Sequence, residues 1–324
     1  MPLETVRSAE QWKRQFTAAG RRAVVAIGNF DGMHRGHQEI LRRVVARAKQ
    51  EDCAAAVLTF YPHPARVLRP SQAPSLLMTL GQRLKAFDAA GIDAVLVMPF
   101  DLALAEMSAQ NFAQRVLVET MRVRAVLVGE NFRFGNRQMG DVALLQDHGR
   151  QWDFQVEIVP PVVQDGLVIS SSAIRNALAE GRMADAERML GRPFSLQGEI
   201  QAGTGLGSKI VVPTLNLKTE QEMLPRKGVY ATETLLRGRA YRSVTNVGMR
   251  PTFNGAHLTI ESHLFDYAQD QTSGAIEVRF FKHLRDEMKF SGPQELKEQI
   301  AKDMSDAAEF FAQHEKEKLY PDLS

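Results

Sequence analysis

The chain has very little cysteine: Cys53 stands alone in 324 residues. No disulfide can form within it, which excludes a small secreted scaffold held by crosslinks, and a lone thiol suits the reducing cytosol. A dominant charge is also missing. Forty Lys and Arg face 38 Asp and Glu for a formal net of +2, so neither a nucleic acid nor an acidic membrane surface is implied as a partner. No stretch stays apolar long enough to span a bilayer. The opening MPLETVRSAEQWKRQF mixes charges with apolar residues where a signal peptide needs an apolar centre. Repeats and low-complexity segments are absent as well. The expectation is a cytoplasmic protein that binds neither membrane nor nucleic acid, with Cys53 as a small core residue.

What is present is ample apolar material. Forty-four per cent of the residues are hydrophobic, and a chain of this length usually divides into two cores. Ala23 to Ile27 reads as a buried parallel strand, and Gln38 to Ala48 has helical periodicity. Between them lies Gly28-Asn29-Phe30-Asp31-Gly32-Met33-His34-Arg35-Gly36-His37. This corner combines glycines that permit close backbone approach with two histidines near a helix N-terminus, a setting that favours an anion. Nucleotide phosphates are the natural guest, and a tight turn with solvent-facing histidines is the alternative. Zinc is disfavoured because no other Cys/His cluster supplies further ligands.

Further strands are expected at Ala54 to Phe60, Ala94 to Met98, Ala125 to Val128 and Phe154 to Val159. Helices are expected over Leu80 to Ala90, from Ser108 through Val118, and near Val142 to His148. That alternation is the pattern of an α/β doubly wound parallel sheet, whose ligands bind beyond the carboxyl ends of the strands. Three more polar loops follow strands: Tyr61 to Arg66 around His63, Gly129 to Gly135 around Asn131, and Ser170-Ser171-Ser172-Ala173-Ile174-Arg175. In the last, a serine-capped helix start with Arg175 one turn on can bind phosphate through N–H groups, hydroxyls and a guanidinium.

The texture changes after Gly191-Arg192-Pro193. Short alternating segments at Ser195 to Gln201, Thr214 to Lys218, Gly228 to Leu236, Ala240 to Val247, Leu258 to Phe265 and Ala275 to Phe281 precede one helix, Pro293 to His314. A mainly antiparallel β-barrel domain with a C-terminal helix is expected. Gly203 to Lys209 is glycine-rich but lacks P-loop spacing. Pro213-Thr214-Leu215-Asn216 offers a hydroxyl and an amide for magnesium and a nucleotide. Glu261 is a candidate base if its strand turns it inward, and ordinary surface if outward.

The loops GNFDGMHRGH, TFYPHP, GENFRFG and ISSSAIR resemble the signature motifs of the adenylyltransferase half of bacterial bifunctional riboflavin kinase/FAD synthetases. Downstream, PTLNL, KGVYA, TNVGMRPTF, IESHLFD and HLRDEMKF resemble the kinase half in the same order. The resemblance spans almost the whole chain and implies an FMN adenylyltransferase domain at 1–186 and a riboflavin kinase domain at 187–324. It implies riboflavin, FMN and ATP as small-molecule substrates, FAD as product, Mg2+ as cofactor, and a monomer or weak homo-oligomer.

Carried over residue by residue, the resemblance implies that His34 and His37 contact ATP phosphates, with Gly28, Asn29, Phe30 and Gly36 holding the nucleotide. Ser171 and Arg175 would engage the triphosphate, and His63 and Asn131 would border the flavin phosphate. In the kinase half Gly207 and Lys209 would meet ATP, Thr214 and Asn216 would bind magnesium, Glu261 would be the base and Arg285 would lie near the flavin. One departure stands out: the family's Gly-Arg-x-Leu-Gly-Phe run is here Gly207-Ser208-Lys209-Ile210-Val211-Val212. Two other readings therefore stay open, an FMN adenylyltransferase with a flavin-binding but kinase-impaired barrel, and a non-catalytic flavin sensor or carrier.

Overall fold

A computed structural model of the chain describes residues 2–201, 214–252, 255–267 and 273–319, without the side chains of 250–252, 255–257 and 316–319. It divides into two compact units, Met1–Ser171 and Ser172–Ser324.

The first unit is built on a six-stranded sheet. Its strands are β1 (Glu4–Val6), β2 (Ala23–Ile27), β3 (Ala54–Tyr61), β4 (Ala94–Pro99), β5 (Val123–Gly129) and β6 (Gln155–Val159), in the order β1-β4-β3-β2-β5-β6. Every pairing is parallel. All five residues of β2 are buried, as expected for a strand covered on both faces. Alternate residues supply the two faces. Val25, Ile27, Leu58, Leu96 and Val126 pack with Trp12, Phe112 and Leu117, whereas Val24, Ala26, Val57, Val95 and Leu127 pack with Leu41, Val44 and Phe87. This is the expected doubly wound sheet. The short edge strand β1 was not anticipated, since three residues are too few to show a period.

The strand order locates the functional edge. From β2 the chain steps outward to β3 and β4, then crosses back to place β5 on the other side of β2. The sheet therefore reverses direction at β2. A crevice opens beyond the carboxyl end of a strand at such a reversal, and the segment that leaves β2 is Gly28 to His37. A small hairpin, β7 (Val163–Gln164) and β8 (Leu167–Val168), follows β6.

The second unit is a closed antiparallel barrel. Its strands are β9 (Phe194–Gln201), β10 (Leu215–Thr219), β11 (Gly228–Leu236), β12 (Arg239–Thr252), β13 (Gly255–Leu264) and β14 (Ala275–Arg285), joined in the ring β10-β13-β12-β11-β14-β9. The interior is partly polar. Thr232, Thr234, Ser243, Thr245 and Ser262 are fully buried and link hydroxyl to hydroxyl at 2.7–2.8 Å. Each hydroxyl has a partner, so the ladder is tolerated where a single buried hydroxyl would be costly.

The helix Pro293–Leu319 covers the outside of the barrel, with Ala307 and Phe311 against Val229, Ala231 and Val244. A bidentate pair fixes it. Arg285 donates through Nε and Nη2 to Asp303 at 2.9 and 2.8 Å, and Asp303 is only 2% exposed. Removing one partner strands the other charge in a dry site. Asp303→Ala is therefore expected to destabilise the second unit by about 3 kcal/mol, the usual cost of breaking a buried pair. Urea titration read by far-UV circular dichroism checks this.

Candidate active sites

The loop after β2 is held by its own side chains and by one distant segment. His34 is the N-cap of the helix Arg35–Gln50, and its Nδ1 accepts the backbone N–H of His37 at 3.3 Å. A neutral ring that accepts at Nδ1 carries its proton on Nε2, so the cap fixes the tautomer. The rings of His34 and His37 stack with centroids 3.6 Å apart, and Phe30 meets His37 edge-on at 5.2 Å. Gly36 makes this possible, because a Cβ there would press on the His34 ring at 3.2 Å. Gly32 has φ +88°, and a Cβ would lie 2.6 Å from Leu77 Cδ1. These two glycines serve packing inside the protein.

The distant segment is residues 77–83. Asp31 is 4% exposed, and its carboxylate accepts the N–H groups of Leu77 and Met78, both at 3.1 Å. A capping box between Thr79 and Gln82 then starts the helix Leu80–Ala89, and Arg83 of that helix donates to the carbonyl of Asn29 at 2.7 Å. Asp31 and Arg83 hold adjacent parts of the loop. Neither was singled out from the sequence; Asp31 lies inside the quoted motif, and Arg83 resembles any other helical arginine.

The other predicted loops leave neighbouring strands. β3 and β5 flank β2, so the loops carrying His63 and Asn131 lie beside the first one. His63 repeats the behaviour of His34: it caps the helix Pro64–Leu68 with Nδ1, accepting from the N–H of Ala65 at 3.2 Å. After β5, Phe134 is buried and Phe132 packs against the same core, which leaves Asn131 exposed. Ser171 Oγ donates to the carbonyl of Asp31 at 2.8 Å, tying the fourth loop to the first. The helix Ser171–Ala179 begins at Ser171 itself, so Ser171 and Arg175 stand one turn apart on one face.

Three buried polar atoms in this region lack a hydrogen-bond partner, Asn29 Oδ1, His37 Nδ1 and Arg83 Nε. Burial, reinforced by the nearby His34, holds the His37 imidazole well below its ordinary value of 6.5. His37 is therefore neutral near pH 7, and phosphate charge beside it would favour its protonated form.

In the second unit the register assembles a polar rung. Asn216 of β10 lies opposite Glu261 of β13, and Glu261 lies opposite Asn246 of β12. Facing residues on neighbouring strands share one side of a sheet. Ser262 and Ile260, on either side of Glu261, are buried, so Glu261 points to the outer face of the barrel. It is half-buried there between two amides. Close by, Glu287 accepts the N–H of Met249 at 3.1 Å, and a Cβ on Gly248 would collide with the Glu287 carboxylate and crowd Asn246 Nδ2. Asn246 and Glu287 were not named from the sequence, though both lie in the quoted motifs TNVGMRPTF and HLRDEMKF.

Thr214 is exposed just ahead of β10. Arg285 is committed to Asp303, with its remaining Nη1 on the carbonyl of Asp286 at 3.0 Å and its guanidinium 5.8 Å from the Phe290 ring. Gly207 and Lys209 lie outside the described residues. Among the described residues no group of three or more His, Cys, Asp or Glu is placed to hold a metal ion. No helix among the described residues is long and apolar enough to cross a membrane.

A family model described as FAD synthetase matches residues 17–173, and one described as riboflavin kinase matches residues 190–311. A protein of Escherichia coli (strain K12) described as a bifunctional riboflavin kinase/FMN adenylyltransferase is 39% identical over 289 residues, covering 89% of this chain and 92% of that protein. One of Haemophilus influenzae with the same description is 38% identical over 288 residues, covering 89% and 94%. A crystal structure described as a macrolide-efflux protein from Streptococcus pneumoniae superposes with a TM-score of 0.82 at 26% identity, covering 94% of this chain and 98% of that one.

The depressed value of His37 has a consequence for stability. The folded-state value lies below the unfolded one, so as pH falls the unfolded chain takes up the proton first, and stability declines from about pH 6.5 down to the folded value. His37→Asn is expected to lose less stability than wild type between about pH 7 and about pH 5. Urea unfolding at the two pH values measures the difference.

Proposed function

The chain belongs to the bifunctional riboflavin kinase/FMN adenylyltransferase family, and from that premise we propose how its two units divide the chemistry. The enzyme phosphorylates riboflavin to FMN with ATP and adenylylates FMN to FAD with release of pyrophosphate. The observation that carries this is the presence of both family matches in one chain that is 39% identical to a bifunctional relative over most of its length. A single-activity adenylyltransferase and a non-catalytic flavin carrier are therefore not retained. The protein is proposed to be cytoplasmic, a monomer or weak homo-oligomer, with small molecules and not nucleic acid as partners. Residues 1–186 are assigned to FAD synthesis and 187–324 to the kinase.

Adenylyl transfer starts from the FMN phosphate, which is already largely ionised near neutral pH. It needs alignment with the α-phosphate of ATP and stabilisation of the charge that develops on pyrophosphate. His34 and His37 are assigned to the ATP phosphates, with Gly28, Asn29, Phe30 and Gly36 holding the nucleotide. Asn29 Oδ1 and His37 Nδ1, buried without partners, support a polar ligand there. Ser171 and Arg175 are assigned to the triphosphate, and His63 and Asn131 to the border of the flavin phosphate.

Riboflavin phosphorylation starts from a neutral hydroxyl, so a positioned base helps. Glu261 is assigned to that proton, held between Asn216 and Asn246. Thr214 and Asn216 would hold magnesium, whose hard oxygen preference their donors match, and when bound it supplies charge neutralisation on the phosphates. Gly207 and Lys209 are assigned to ATP phosphates. Arg285 is assigned to the flavin edge, bracing the Asp286–Phe290 segment.

Incubation with riboflavin, ATP and Mg2+, with FMN and FAD resolved by chromatography, tests the reading directly; absence of both products overturns it. His34→Ala or His37→Ala is expected to lower FAD formation at least about tenfold, roughly 1.4 kcal/mol of transition-state stabilisation, while sparing FMN formation. Equal loss of both activities in a folded variant contradicts the division of labour. Glu261→Gln is expected to abolish FMN formation and leave FAD synthesis from supplied FMN; an active kinase in that variant removes Glu261 from the role.

A further inference from the structure

The helix Leu80–Ala89 carries a guanidinium into the interior of the first unit. Arg83 is 2% exposed. Its Nη1 donates to the carbonyl of Asn29 at 2.7 Å and reaches Thr59 Oγ1 at 3.5 Å, while Nε has no hydrogen-bond partner. Among the described residues it makes no ion pair. Asp31 attracts it only through space, because the Asp31 carboxylate is directed at the N–H groups of Leu77 and Met78.

A buried cation in such a setting is costly. An apolar side chain of similar length would fill the same space without the desolvation penalty, and replacements of that kind in other proteins are often neutral or stabilising. The fold alone therefore does not account for the arginine. Its location does, because its one strong bond is to the loop that the preceding section assigns to nucleotide phosphates.

We infer that Arg83 is a positioning residue for adenylyl transfer, a buried permanent cation that clamps the Asn29 carbonyl and supplies positive potential to the phosphate chain from behind the loop. The inference rests on the assignment of Gly28–His37 to those phosphates. Three properties suit the group to the task. A guanidinium keeps its proton even when buried. The apolar surroundings screen its field weakly. Because it is held in place before substrate arrives, it needs no reorganisation when charge moves onto pyrophosphate. The clamp matters as well: a carbonyl oxygen bound to Arg83 is not available to face an anion.

The test uses the full chain with Arg83→Met, which removes the charge. FAD formation from FMN, thermal unfolding, and calorimetric titration with pyrophosphate alone are measured. Arg83→Met is expected to lower kcat/KM for ATP at least about tenfold and to weaken pyrophosphate binding at least about fivefold, a range typical of a lost preorganised donor or charge. Its unfolding temperature should be equal to or above wild type. The inference is overturned if Arg83→Met keeps its pyrophosphate affinity, or if its losses accompany a lowered unfolding temperature. A wild-type chain that makes no FAD counts against the adenylyltransferase assignment instead, and the pyrophosphate titration still decides the role of Arg83.

Discussion

The first site depends on one hydrogen bond, from the backbone N–H of His37 to Nδ1 of His34. A helix start leaves several N–H groups without partners, and serine, threonine or aspartate usually satisfies one of them. Here an imidazole does so. The bond ends the loop, begins the helix, fixes which ring nitrogen carries the proton, and brings the second histidine into stacking contact. The same device recurs at His63 over the next strand. Two histidines proposed to face substrate thus have their tautomers set by backbone capping, which leaves the carboxylate of Asp31 to hold the Leu77–Met78 segment.

The barrel solves a different problem. Its interior is closed by hydrogen-bonded hydroxyls and apolar side chains, so no ligand needs to enter it. The residues proposed for its chemistry lie on the outer face, where the register of three adjacent strands sets Asn216, Glu261 and Asn246 side by side. Gly248 keeps the neighbouring position open for the Glu287 carboxylate, and the Arg285–Asp303 pair anchors the strand end from which Glu287 departs.

The sequence made the fold class legible because its signals are local. A fully apolar five-residue run at Ala23–Ile27 announces its own environment. The motif loops were equally visible, since glycine, histidine and serine clusters stand out between such runs. Arg83 was hidden because its function comes from burial and from a partner 54 positions away, and neither leaves a trace in spacing. From its strand alone Glu261 reads as a candidate base if inward and ordinary surface if outward, while the resemblance implies the base. Glu261 points outward, and its surroundings depend on strand register, which alternation alone does not supply. The interior hydroxyl ladder was missed for the same reason: Thr232, Ser243, Thr245 and Ser262 look like polar outward positions until the closed barrel turns them in.

The difference between the two sites follows from the protonation states of their substrates. A phosphate nucleophile arrives ionised, so a site that handles it gains little from a carboxylate and much from fixed donors and positive potential. The first site has that composition: histidines held by caps, a helix N-terminus, and Arg83 behind the loop, while the buried carboxylate of Asp31 is occupied with backbone N–H groups. A hydroxyl nucleophile arrives with its proton, and the second site presents a half-buried glutamate between two amides. A carboxylate left free beside His34 would repel the triphosphate and raise the proton affinity of both imidazoles. By using Asp31 as a structural acceptor, the first unit keeps an acidic residue in its loop while directing that residue's charge toward the Leu77–Met78 backbone.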